Sequence, residues 1–372
     1  MKEKHHRQAS RRSRVVPALA ISLAMATVAA CGGDGTGTTR GQTLTGAGAT
    51  FAMPLISVWS SEYQAATGGR VNYNSIGSGG GIRAHTDLTV DFAASEAPLS
   101  QEQARNAEGT LTLPFTIGTV AVAYNLPGVD ELRLSGEVLA RIYDGRISRW
   151  NDPALEELNP GAELPDRSIV VVHRSDGSGT TYVFTEYLTK MSEAWAENVG
   201  FSTSVSWPLG IGGNGNEGVA GAIRNNTGSL GYVELSYVES LGLPTAAMLN
   251  REGVFIQPSL EGGTAAAAMV VDDLPAGHEA WHTVSFTDAP GQGSYPISSF
   301  SYFFIYEELD RLGSQMTMER AQDIVRWIEW TVTAGQAFNP DVNNAAIPEG
   351  VQRLNLETLD RVRFNGEPVR TW

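Results

Sequence analysis

The chain has 372 residues, 42% hydrophobic and 18% charged, with a formal net charge of −15. That length exceeds a single small core and points to about two domains, and the composition excludes a disordered chain. The acidic balance argues against nucleic acid or anionic lipid as a partner. It leaves room for a small anion at a desolvated site, because salt screens the long-range field within about 10 Å.

Residues 1–30 differ in kind. Six bases (Lys2, Lys4, Arg7, Arg11, Arg12, Arg14) against one acid, Glu3, precede the apolar run VVPALAISLAMATVAA. A charged start, an apolar stretch too short to span a bilayer comfortably and small residues at its end make a signal peptide. Setting aside its +5 leaves −20 for the mature chain. Cys31, the single cysteine, comes directly after, and VAAC resembles a bacterial lipobox whose cysteine is lipidated and becomes the new N-terminus. The alternative is an ordinary cleaved signal with an incidental cysteine; SRRSR also invites a twin-arginine reading, though the residues after it match that signal poorly. Residues 31–43, rich in Gly and Thr, form a flexible tether. No disulfide is then available, and a domain of this size does not need one. No later stretch is long and apolar enough to span a membrane.

Beyond the tether, strand-like and helix-like runs alternate. AMPLISVWSSEYQAA reads as a helix, RVNYNSI and TVDFAAS as strands, TVAVAYN as a strand, and LSGEVLARIYDG as a helix. SIVVVHR is a strand, TTYVFTEYLTKM a helix, and SLGYVELSY and SFSYFFIYE are strands. MTMERAQDIVRWIEWTV closes the series as a helix with Ile324, Val325 and Ile328 on one apolar face. The alternation predicts an α/β architecture with largely parallel sheets.

Three strand-to-helix turns carry the chemical information: GAGATF (46–51), SIGSGGGIR (75–83) and HRSDGSGTT (173–181). Each offers glycines that expose backbone N–H groups, hydroxyl donors and a helix N-terminus favouring an anion. One such turn is ordinary helix capping; three together, one beside Arg174, suggest a ligand at the carboxyl ends of the strands. HRSDGSGTT lacks the Gly-Lys-Ser/Thr of a nucleotide phosphate loop. Ser178 does not sit in a G-x-S-x-G nucleophile elbow, because Asp176 and Thr180 occupy the glycine positions. GIGGNGNEG (210–218) is read as a tight loop. HEAWH (278–282) matches the zinc-protease pattern, with His278 and His282 as ligands, Glu279 as base and Glu307 or Glu308 as a conceivable third ligand. Against that, Pro275 and Gly277 crowd its start and TVSF after it reads as extended, which makes it a surface helix turn in a connecting segment.

LTGAGATF, VNYNSIGSGGGI, DFAASEAPLS, HRSDGSGTTYVFTEYL, SVSWPLGIGG, GNGNEGVAGAI, GSLGYVELSY and YPISSFSYFFIY occur in this order. With them the chain resembles the phosphate-binding proteins of bacterial high-affinity phosphate ABC transporters, from about Leu44 to the C-terminus. The resemblance is weakest between about Asn250 and Gln292. It implies the two-domain periplasmic-binding-protein fold with two crossovers, near Tyr124 and Pro296, and the ligand in the interdomain cleft. Domain I would comprise residues 44–123 and 297–372, domain II residues 124–296, closing by a hinge motion. It further implies a monomer that is no enzyme, needs no cofactor or metal and binds no nucleic acid. Such a protein captures inorganic phosphate outside the cytoplasm, facing periplasm or cell exterior, and delivers it to a permease and ATPase complex.

Carried over residue by residue, the family's phosphate contacts fall on Thr50, Phe51, Ser78, Arg174, Ser178, Gly179 and Thr180, with Asp176 orienting the arginine. Short charge-assisted hydrogen bonds from fixed N–H and O–H groups suit that task. The family also places an aspartate in S-D-A-P, which accepts the proton that phosphate retains and sulfate lacks. Unpaired contacts of that kind discriminate by roughly 10⁴–10⁵. Here the motif is S-E-A-P, which puts Glu96 at that position with a reach about 1.5 Å longer. Either the loop withdraws, the side chain folds back, or geometry and selectivity differ. Glu96 is expected to keep the proton-accepting role. The competing functions are the same fold binding another tetrahedral oxyanion, a zinc hydrolase using HEAWH, and a phosphatase using Ser178.

Overall fold

The structure, a computed structural model, describes residues 43–372. The predicted leader, the lipidation site Cys31 and the tether up to residue 42 lie outside the described residues.

Eight strands form one mixed sheet: β1 (Leu44–Gly48), β2 (Val71–Ser75), β3 (Phe92–Ser95), β4 (Thr110–Asn125), β5 (Val170–Arg174), β6 (Ile211–Gly213), β7 (Ser229–Glu234) and β8 (Ser298–Tyr306). Their spatial order is β2-β1-β3-β8-β4-β7-β5-β6. The outer pairings, β1 with β2 and β3 and β5 with β6 and β7, are parallel. The central ones, β8 with β3 and β4 and β4 with β7, are antiparallel. The expectation of largely parallel sheets thus holds for the flanks and not for the middle, where two long strands run against their neighbours.

The length of β4 organises this arrangement. Its first part, Thr110–Thr119, pairs with β8, and its last part, Val120–Asn125, pairs with β7. One strand therefore belongs to two half-sheets. All but its two end residues are buried, which produces a continuous apolar run in place of alternation. Pro114, which has no N–H for the ladder, is accommodated by a bulge: the register slips between Ser301 and Tyr302, passing from Thr116 to Pro114. The Pro114 carbonyl is satisfied instead by Asn355 Nδ2 at 2.7 Å.

Four helices form where the sequence predicts them, α1 (Met53–Thr67), α2 (Gly77–Thr86), α3 (Gly179–Met191) and α5 (Met318–Val332), whereas α4 (Gly215–Asn225) begins inside the segment read as a tight loop. Pro54 starts α1 and Gly68, at φ 79°, ends it. The α1 and α5 faces bury Trp59, Tyr63, Ile324, Val325, Trp327 and Ile328. These meet an aromatic stack from the sheet, with Phe115 and Phe303 at 3.9 Å between centroids and Phe92 edge-on to Phe303 at 5.4 Å. A partly buried ion pair adds a polar tie, with Arg320 of α5 donating to Asp91 from Nε (3.0 Å) and Nη2 (2.7 Å). No helix among the described residues is long and apolar enough to cross a membrane.

Candidate functional site

In both half-sheets the loops at the carboxyl ends of parallel strands converge, as expected for an open α/β sheet. From the first half come the turn after β1 with Thr50 and Phe51, the start of α2 with Ser78, and Glu96 just past β3. From the second come Arg174 at the end of β5, the 175–178 loop and the starts of α3 and α4. The two glycine-rich loops touch backbone to backbone: Gly79 N–H donates to Gly177 O at 3.0 Å. Gly77, at φ +77°, has no room for a side chain, since a Cβ there would lie 2.5 Å from Gly177 O.

Thr50, Phe51, Ser78, Glu96, Arg174, Ser178 and Thr180 are all at most 3% exposed. Arg174 is gripped by Asp176 through Nε (2.8 Å) and Nη2 (2.5 Å) and donates from Nη1 to Thr180 Oγ1 at 3.3 Å. Asp176 is itself held by the Gly215 N–H at 3.1 Å. Burial works to raise the Asp176 pKa, but the Arg174 hydrogen bonds and charge hold it below the usual aspartate range. The pair keeps the guanidinium fixed with part of its donor fork free.

Ser178 caps α3, its Oγ accepting from Thr181 N–H at 3.0 Å. That leaves the hydroxyl hydrogen to donate elsewhere. The first N–H groups of α3, those of Gly179 and Thr180, have no intrahelical carbonyl. Gly179 lies so near the opposite side that an added methyl would come within 2.6 Å of Ser78 Oγ and closer still to Glu96 Oε2. The Phe51 ring packs into the space over Gly118, so only its backbone is available at the cluster.

Glu96 shows how the longer side chain fits. Its carboxylate spans two hydroxyls, accepting from Ser78 Oγ at Oε2 (3.0 Å) and from Ser301 Oγ at Oε1 (3.2 Å). Burial pushes its pKa up to about 7, against the pull of both hydroxyls and of the Arg174 charge. A second buried acid lies within electrostatic reach. Glu234 ends β7, accepts from Ser236 N–H at 3.0 Å and from the Ser236 hydroxyl, and leaves Oε1 without a partner. Burial raises it to about 8 despite the Ser236 contacts, with a smaller upward push from Glu96.

All the sequence-predicted anion contacts therefore meet in one buried cluster. Two partners were not anticipated. Ser301 sits in an apolar strand, and only sheet pairing brings it to Glu96. Asn216 lies in the segment read as a tight loop, whose GNGNEG run in fact opens α4. The HEAWH residues are elsewhere and form irregular turns, not a helix, so His278 and His282 do not share a helical face. His282 Nε2 is 3.2 Å from Gln101 Nε2, Glu279 accepts from Ala276 N–H at 2.8 Å, and Glu307 pairs with Arg361 at 2.9 Å. Among the described residues no three His, Cys, Asp or Glu side chains are grouped to hold a metal.

Comparison with known proteins places the chain among relatives. A PBP superfamily domain matches residues 33–328. The chain is 41% identical over 329 residues to a phosphate-binding protein PstS of Pasteurella multocida, covering 88% of this chain and 92% of that one. It is 44% identical over 313 residues to a phosphate-binding protein PstS of Xylella fastidiosa, covering 83% of each. In fold it is similar to the periplasmic phosphate-binding protein PfluDING solved with phosphate, at TM-score 0.67 and 18% identity over 86% of this chain and 99% of that one.

Proposed function

Because the chain belongs to the phosphate-binding protein family of the PBP superfamily, we propose that it captures inorganic phosphate outside the cytoplasm for ABC-transporter import. One observation carries this reading: the anion donors Thr50, Ser178, Thr180 and Arg174 are buried in one cluster with the carboxylate of Glu96. Donors alone would suit any small oxyanion. The carboxylate suits one that retains a proton, because an ionised acid meets sulfate with lone pairs against lone pairs. Ser78 reinforces the distinction, since its hydrogen goes to Glu96 and holds that carboxylate in place.

The two half-sheets are taken as two lobes, with residues 44–123 and 297–372 in one and 124–296 in the other, closing on the ligand by a hinge. The leader and Cys31 support anchoring through lipid on the outer side of a membrane. Delivery is to a permease and ATPase complex, by a monomer acting as a binding protein and not as an enzyme. Titration calorimetry with phosphate, arsenate and sulfate across pH tests the core of this reading. Tight phosphate binding without turnover, strongly preferred over sulfate near pH 8, is the expected result. Equal affinity for sulfate, or unchanged binding and selectivity in Glu96→Gln, would sink the role given to Glu96.

A further inference from the structure

Asn216 is the one fully buried side chain of the cluster that reaches hydroxyls from both half-sheets. Its Oδ1 accepts from the Glu234 backbone N–H at 3.1 Å. A backbone N–H only donates, so this contact fixes which end of the amide is oxygen. The Nδ2 group is thereby aimed at Thr50 Oγ1 (3.0 Å) and Thr180 Oγ1 (3.3 Å), and the Asn216 backbone N–H adds a second donor to Thr50 Oγ1 at 3.2 Å.

Counting hydrogens then settles what the two threonines have left. A hydroxyl has one hydrogen to give and two lone pairs to receive with. Thr50 Oγ1 receives from Asn216 twice. Thr180 Oγ1 receives from Asn216 Nδ2 and from Arg174 Nη1, each at 3.3 Å. Both oxygens are filled as acceptors, and each retains its own hydrogen. For Thr180 the alternative target is Asn216 Oδ1 at 3.5 Å, a contact at the limit of a hydrogen bond and on an oxygen already bound by Glu234.

We propose that Asn216 is a positioning residue for the anion, acting by saturating Thr50 and Thr180 as acceptors so that both hydroxyls present hydrogens to the ligand. The proposal rests on the phosphate-binding reading above. It divides the site by hydrogen-bond sense: Thr50 and Thr180 are made donors by Asn216, whereas Ser78 is made an acceptor by Glu96. The dividing signal originates at β7, whose Glu234 N–H orients the amide.

The test is phosphate titration of wild type, Asn216→Ala and Asn216→Asp, with the alanine change repeated in a Thr50→Val background. Loss of orientation at a hydroxyl bound to a charged ligand should weaken binding about 10- to 100-fold in Asn216→Ala. With the Thr50 hydroxyl gone the same change should cost at least about threefold less, the non-additivity expected of coupled groups. Asn216→Asp keeps the shape but replaces the Nδ2 donor by an acceptor, and should lose more than about 100-fold. Binding by either variant within about threefold of wild type, or an equal penalty in both backgrounds, overturns the proposal. Should wild type itself take no phosphate, the functional reading fails as well, and the two failures are thereby told apart.

Discussion

In the reading proposed above, Glu96 acts as a proton switch facing the anion. With its pKa raised by burial to about 7, it is ionised and purely an acceptor above that pH. Below it, the carboxyl takes up a proton and becomes a donor. Sulfate, which has no proton to offer, should therefore bind better as the pH falls, by about tenfold between pH 8 and 6 if only the protonated site accepts it. Competition of sulfate against phosphate across that range reads the effect. In Glu96→Gln the amide cannot titrate, so sulfate affinity should be flat with pH while phosphate weakens about 10- to 100-fold. Gly179 supports a second expectation at this scale. Alanine suits a helix, so Gly179→Ala should fold normally by circular dichroism. Its methyl would intrude between Ser78 and Glu96, and overpacking there should reduce phosphate affinity about 10- to 100-fold.

At the scale of elements, β4 and β8 hold the frame that brings the loops together. Phe303 of β8 stacks on Phe115 of β4 and meets Phe92 edge-on, fully buried. Phe303→Ala should cost about 3–5 kcal/mol of stability, measured by urea unfolding, with phosphate affinity nearly unchanged in the protein that remains folded. The same strands show what the sequence conceals. TVAVAYN is legible as a strand, but the preceding TLTLPFTIG contains a proline and a glycine that disguise the first half of β4, and only the bulge against β8 makes room for Pro114. The three glycine loops were legible because close backbone approach and a positive φ restrict residue type locally, as at Gly77. Glu96 was legible by its place in a recurring motif. Asn216 and Ser301 were not, because their meaning lies in partners 166 and 205 residues away, Thr50 and Glu96. Neither residue type is unusual in its own neighbourhood.

For the molecule as a whole, the acidic surface and the anion site pull in opposite directions. The net charge of −15 repels an approaching phosphate, while in the proposed site Arg174 and the fixed dipoles would act only after entry. Added salt screens the repulsion but reaches the buried donors poorly. The association rate constant for phosphate should thus rise several-fold between roughly 10 and 150 mM salt, with little change in dissociation. Stopped-flow binding in an inert salt reads this directly, and a falling rate would contradict it.

The joins between the two halves of the sheet have a mechanical consequence. Asn216 to Thr50, the Tyr237 hydroxyl to Thr50 O at 2.7 Å and Gly79 to Gly177 are hydrogen bonds, and none of the ion pairs described bridges the same gap. Coulomb attraction decays gradually with separation, but a hydrogen bond is gone beyond about 3.5 Å. The halves are held by a catch with a very short throw. In the hinge motion proposed above, a displacement of an ångström or so would undo all three contacts at once, and with them the contacts that orient the threonine hydroxyls.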